Sequence, residues 1–440
     1  MDDPDYNPLV PAHVPAARVY DFNMLDHETQ DPFQAIDELF KRHLPEVFWT
    51  RNLGGHWLVM GIDAISELNE SAPTLLSAKR LLVPDRQNAD TPSFPPNDTD
   101  PPLHSAYRSV IGPLFAPHRI DAMRDDIRAV TRMLIAGIKM RGECEFMEDF
   151  AAQMPVNVFL KLLDLPIEDR PKLRAIAHRI MNPIYDDNLG VPLGELTDYL
   201  MPHIKDRMAR PRQDAISHVV CGRIGDRPLE LEEIGKLTRS LVVAGLDTMA
   251  GMLGYFARYL AETPTARRRV IAQPEIIPKM VEELLRRFPV SNIGRYLTHD
   301  MVFRGVQMKA GEHIVWPSDM YNFDERRFPN PLSVQFGRPN NRHATFGLDH
   351  HFCAGAVLAR TELRIFTEEW LREIPDFRVK PGANIAFRGG LTKVYKALPM
   401  VLADAACSEK AHPWRSRVIC EAYAIPAPSN GVGCDCGGAH

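Results

Sequence analysis

The sequence predicts a mainly α-helical domain with small β-sheets, and three stretches carry that prediction. Leu229 to Leu260 is one amphipathic run of about 30 residues, roughly 45 Å at 1.5 Å per residue, long enough to cross a whole domain. Val47 to Met60 holds two short runs of strand-forming residues around Gly54-Gly55, the pattern of two strands and a turn. Thr345 to Arg360 places a cysteine on a glycine-containing loop, followed by apolar residues at helical spacing (Ala356, Leu358, Ala359, Leu363, Phe366). The domain is expected over residues 1–402, with a small β region at about 45–62, a helical core at about 103–290 and a second β region with the cysteine loop at about 293–402. Residues 403–440 differ in character and read as a flexible C-terminal extension.

Size and charge exclude several classes. With 440 residues, 45% hydrophobic and 25% charged, the chain is long enough to bury a bulky ligand. A net charge of −5 gives no basic surplus for nucleic acid. No uncharged apolar run reaches the ~18 residues of a membrane span, and Met1-Asp2-Asp3-Pro4-Asp5 has neither a positive nor an apolar leader region. A soluble, cytoplasmic monomer without a membrane partner is the expectation. The seven cysteines, at 144, 221, 353, 407, 420, 434 and 436, are odd in number and too scattered for a disulfide framework. Cys434-Asp435-Cys436 lacks the two-residue spacer of a zinc site, which favours the flexible extension over a metal centre.

Along the chain, a proline-dotted start turns helical at Phe33–Phe40. The proline-rich segment from Val83 to Pro102 reads as an irregular loop, and long loops in compact domains are often lids over sites. Next, His104 and Arg108 fall at i, i+4 on one helical face; the pair suits two carboxylates, or is simply a solvated face. From Asp121 to about Ala261 the pattern is helical, with breaks expected at Pro155, Pro166, Pro183, Pro192, Pro202 and Pro211. Glu282 to Phe288 is a helix ended by Pro289, and Gly294 to Trp316 is a β region leading through the meander Asp319–Arg338 to the cysteine loop.

Two stretches carry chemistry. Cys353 sits just before a helix N-terminus, where unpaired N–H groups and the helix dipole favour a thiolate that can bind a metal from one side. Phe346 can cover the sulfur, and Gly347 and Gly355 let a flat surface approach the backbone. A buried, inert cysteine is the competing reading. In the long helix, Ala244-Gly245-Leu246-Asp247-Thr248 places a glycine costing about 1 kcal/mol beside an acid that is costly to bury unpaired. A flat ligand against Ala244 and Gly245 would account for the missing side chains. Thr248 bonding back to the carbonyl of Ala244 would open the helix locally for a small ligand. A solvated or capping Asp-Thr pair is the alternative.

Phe346-Gly347-Leu348-Asp349-His350-His351-Phe352-Cys353-Ala354-Gly355 resembles the haem-binding loop of the cytochrome P-450 monooxygenases, F-x-x-G-x-x-x-C-x-G, with Asp349 where the usual second glycine stands. Ala244–Thr248 resembles the oxygen-activating helix of the same family, and the motifs arrive in the family's order. The resemblance, closest to the soluble bacterial camphor-hydroxylating type, implies the cytochrome P-450 fold, with haem b between the long central helix and the cysteine loop. It implies Cys353 as the axial iron ligand, with Ala244, Gly245, Phe346 and Gly355 around the haem. His104, Arg108, Arg295 and His351 would hold propionates. Asp247 and Thr248 would relay protons to dioxygen, with Asp247 held back by Arg174. Glu283 and Arg286 match a structural ion pair, whose third member falls at Ser333. Two departures bear on the substrate: Thr91-Pro92-Ser93-Phe94 lacks the tyrosine that bonds the camphor ketone, and Ile293 replaces an acid two residues before Arg295. A pocket of Phe94, Val243, Ala244, Thr248, Ser291 and Ile293 would then take a compact apolar molecule of the terpenoid or norisoprenoid type. The chain has no flavin or nicotinamide motif. The resemblance therefore implies electrons from a small acidic [2Fe–2S] ferredoxin and its NAD(P)H-dependent reductase, docking near Arg108, Arg360, Lys79 and Arg80. A haem-thiolate sensor or ligand carrier would need Cys353 without the Asp247-Thr248 pair, and a helical interaction protein would need neither.

Overall fold

In the computed structural model, which describes residues 10–24, 31–79, 93–181, 190–388 and 392–402, the long amphipathic run forms a central helix over Leu231–Glu262, 32 residues in all. Its start is fixed by Glu230 and Glu233, which satisfy each other's backbone N–H groups, and it stops at Thr263, before the proline that opens the next helix. Helices Gln153–Leu163 and Gly190–Ala209 pack on it. By length and composition the central helix could cross a membrane, yet 72% of its apolar window is buried inside the protein. It is the core element rather than a span.

Prolines behave differently from expectation in this region. Pro155 and Pro192 each sit in the first turn of a helix, where the missing N–H has no partner to lose, and Pro202 lies inside Gly190–Ala209 without ending it. Helices do end at Leu163 and Ala209, just ahead of Pro166 and Pro211. Pro183 lies outside the described residues, as does the whole extension 403–440 with its cysteines. Up to Leu402 the described residues form one compact unit.

The two N-terminal strands, Val47–Thr50 and His56–Val59, pair antiparallel as the Gly-Gly turn predicts. They extend into a five-stranded sheet through His313–Pro317, Asn292–Leu297 and Leu76–Ser77. Arg295 lies opposite Ile314 in that register, which fixes its height along the strand beside the cavity described below.

Glu283 and Arg286 face each other on helix Ile277–Arg287, both fully buried, with Arg286 Nε 3.0 Å from Glu283 Oε2. The third member is Arg338 and not Ser333: Arg338 Nε donates to Glu283 Oε1 at 3.0 Å, while Ser333 contributes only its carbonyl, accepting from Arg338 Nη2 at 2.7 Å. The loop after Pro331 turns back so that the cation arrives five residues later than motif spacing indicated. Arg286 also donates to the carbonyl of Pro331 at 2.8 Å. Glu283 is the one anion between two buried guanidinium groups, so removing it leaves both uncompensated. Glu283→Ala should lower the unfolding free energy by about 3–5 kcal/mol in denaturant titration; a loss below about 1 kcal/mol, as for a surface pair, would contradict this role.

Candidate functional site

Between the central helix and the cysteine loop lies a cavity of about 350 Å³, walled on one side by Cys353, Phe346 and Leu358 and on the other by Ala244 and Thr248. The loop is held by its own backbone: Cys353 N–H donates to the carbonyl of Phe346 at 2.8 Å. Gly347 takes φ +78°, a conformation that a side chain would strain. Gly355 is less constrained, since a Cβ there would meet Cys353 Sγ at an ordinary 3.9 Å. Asp349 opens a short turn, Asp349–His351, which passes the position without glycine. Helix Ala356–Glu373 begins three residues after Cys353. Burial pushes the Cys353 thiol up, while the Gly355 N–H and the cations Arg108 and Arg360 pull it down. Arg360 also stacks its guanidinium over the Phe346 ring, 4.5 Å from the centroid.

At one edge of the cavity the predicted donors converge. The rings of His104 and His351 are 4.3 Å apart, and Arg108, Arg295 and His351 line the cavity. His104 is buried, and neither of its ring nitrogens has a hydrogen-bond partner. Burial first, and then the neighbouring cations, lower His104 to about 4 and His351 to about 2. At neutral pH both imidazoles are therefore neutral. The two His104 nitrogens without partners, with the guanidinium groups of Arg108 and Arg295 nearby, fit carboxylates at the rim of a planar group. The Cys353 sulfur on the wall of the same cavity fits a metal that favours thiolate.

The opposite wall differs in detail from the sequence reading. Thr248 Oγ1 donates to the Ala244 carbonyl at 3.0 Å as expected, yet the helix runs as α-helix without interruption from Leu231 to Glu262. Gly245 borders the cavity, but its missing side chain makes room for a protein ring: a Cβ would lie 2.0 Å from Phe159 Cε2. Asp247 is not held by Arg174, which pairs with Glu148. Its partners are Arg388, whose Nη2 donates to Oδ1 at 2.6 Å, and the Thr392 hydroxyl. Both come from the small hairpin region of Phe387–Arg388 and Val394–Tyr395.

Phe94, Val243, Ala244, Thr248 and Ser291 all line the cavity. Ile293 lies in strand Asn292–Leu297, its side chain outside the described residues, while its neighbour Asn292 lines the cavity. Of the cations proposed to meet a redox partner, Arg108 faces the cavity, Arg360 pairs with Glu282 at 2.7 Å and Lys79 is exposed. Arg80 lies outside the described residues.

A family model described as Cytochrome P450 matches residues 193–385. The "Probable cytochrome P450 127A1" of Sinorhizobium fredii is 30% identical over 395 residues, covering 87% of this chain and 94% of that protein. The chain is a cytochrome P450. Two solved structures, of CYP101C1 and CYP101J2, match with a TM-score of 0.83 each, at 34% and 32% identity, each covering 90% of this chain and 100% of the other. As a member of this family it is a haem monooxygenase, and its cofactor is haem b.

Sequence reasoning missed several residues of this P450's cavity. Leu241 and Leu237 line it one and two turns before Ala244, a spacing that the helical period could have revealed. Glu362 is the larger omission. It lines the cavity from the helix after Cys353, only 2% exposed, with Oε1 lacking a partner. An acid among Leu358, Ala359, Leu363 and Phe366 was the available signal. Burial pushes its carboxyl from 4.5 up to about 8. The folded protein thus keeps a proton that the unfolded chain has lost, so stability falls as pH rises from about 4.5 to about 8. Glu362→Gln should remove that loss, so that the melting temperature of the variant gains on the parent between pH 5 and pH 8. A constant difference across that range would contradict the buried neutral acid.

Proposed function

We propose that this P450 hydroxylates a compact apolar substrate of the terpenoid or norisoprenoid type, with dioxygen and two electrons from a [2Fe–2S] ferredoxin and its NAD(P)H-dependent reductase. The carrying observation is that Cys353 and the Ala244–Thr248 turn face one cavity from opposite walls. When bound, haem would supply dioxygen activation and the insertion of one oxygen atom into a C–H bond, with Cys353 holding its iron as a thiolate that donates electron density. His104, Arg108, Arg295 and His351 would hold its carboxylates, and Phe346 would keep water from the sulfur.

On the other wall, the Thr248 hydroxyl lines the cavity and donates its proton to the Ala244 carbonyl, so it serves a small ligand by exchanging that bond. Asp247 replenishes that proton from outside. Arg388 and Thr392 hold the carboxylate in the meantime, so the acid delivers a proton only as those bonds exchange. The pocket around Phe94, Val243 and Leu241 rewards apolar surface. Ser240, buried with a hydroxyl that lacks a partner, gives it one polar handle.

Thr248→Ala should keep the haem spectrum and the substrate-induced spin shift while lowering product formed per NADH at least tenfold in favour of peroxide, a size typical for loss of a positioned proton donor. Unchanged coupling would contradict the relay. In spectral titrations, compact terpenoids and norisoprenoids should give the full high-spin shift. No shift with compact terpenoids or norisoprenoids, and a full shift only with larger or strongly polar molecules, would overturn the substrate assignment.

A further inference from the structure

Arg239 lies on the central helix, 4% exposed, and does not line the cavity. Its Nη2 donates to the carbonyl of Ser93 at 2.6 Å, and its Nη1 donates to Thr197 Oγ1 at 2.7 Å. Thr197 spends its own proton on the Leu193 carbonyl, at 2.8 Å, which leaves its oxygen free to accept. On the other side of Phe94 stands Asp98, 8% exposed, whose Oδ2 accepts from the Phe94 N–H at 2.6 Å. The Ser93 carbonyl and the Phe94 N–H are the two ends of a single planar peptide unit. A guanidinium therefore grips its oxygen while a carboxylate grips its hydrogen. Both bonds are charge-assisted and both align with the peptide dipole.

Two buried charges are a costly way to fix a loop. Burial pulls the Arg239 pKa down and the Asp98 pKa up, and Arg239 Nε has no partner. Well-packed apolar residues would be cheaper. What the charges add is orientation: the clasped peptide carries Phe94, and Phe94, Pro95 and Pro96 form one wall of the cavity. Through Thr197 the same arginine ties helix Gly190–Ala209 to that wall.

We infer that Arg239 and Asp98 are positioning residues that clamp the Ser93–Phe94 peptide and so determine which ligands the cavity accepts, without touching the ligand themselves. The inference rests on the proposed placement of substrate beside Phe94. Two probes that bind haem iron and differ in reach test it on the haem-loaded ferric protein: imidazole, too small to meet Phe94, and 4-phenylimidazole, whose ring extends into the pocket. Arg239→Leu should weaken 4-phenylimidazole by about tenfold, equivalent to about 1.4 kcal/mol, while imidazole changes by less than about twofold. Arg239→Lys, which keeps the charge, should restore part of the loss. In a Phe94→Ala background, Arg239→Leu should have no further effect on the ratio of the two affinities. Should Arg239→Leu fail to fold, Asp98→Asn reads the same clamp from its other end, with the same direction expected. Equal changes for both azoles, or an undiminished effect of Arg239→Leu without Phe94, would overturn the clamp. An absence of azole binding in the parent protein would overturn the haem-thiolate reading, and the clamp with it.

Discussion

A cysteine sulfur must be kept at the wall of an apolar cavity, shielded from water and still able to carry negative charge once a metal faces it. In the cavity alone, burial disfavours the thiolate, and only the Gly355 N–H and two arginines lean the other way. A cationic metal would reverse that balance at once, because its charge dominates a low-dielectric site. The rest of the molecule supplies the rigidity this arrangement needs. Phe346 and Cys353 are closed into one loop by a backbone hydrogen bond, and Arg360 pins the Phe346 ring from outside.

That loop is anchored deeper by a chain of buried polar contacts. Glu283 gathers Arg286 and Arg338, and the same helix offers the Leu285 carbonyl to the Thr345 hydroxyl at 2.7 Å. Asn322 donates to Thr345 Oγ1 at 3.0 Å and accepts from the Ala344 N–H at 2.8 Å. The residues just before Phe346 are thus fixed to the helix that carries the ion triad. A network satisfied in this way specifies one arrangement and not several. On the far wall, Asp247 is tied to the hairpin region by Arg388 and Thr392, and Thr248 bonds back to its own helix.

Local pattern carried much of this into the sequence. The central helix, the Gly-Gly hairpin, the cysteine loop and the Thr248 back-bond are set by residues within a turn or two of one another, and each stands where its spacing indicated. Long-range pairing was not legible. Asp247 meets Arg388 from 141 residues away, and Arg338 reaches Glu283 across a loop whose length sets the partner. No pattern in the sequence brings Phe159 to Gly245, so the bare backbone there points to a flat ligand instead. The prolines misled for another reason: whether Pro155 or Pro192 breaks a helix depends on where the helix starts, which their neighbours fix only weakly. A single acid in an apolar stripe, as at Glu362, looks like surface until the packing closes around it.

The central claim is that the Cys353 sulfur, as thiolate, is the protein's bond to haem iron, and the reduced carbon monoxide spectrum of the haem-loaded protein tests it most directly. The account predicts the strongly red-shifted Soret band of thiolate ligation, absent in Cys353→Ser. A Soret band at the shorter wavelength of histidine- or thiol-ligated haem in the parent, or a red-shifted band that survives in Cys353→Ser, would contradict it.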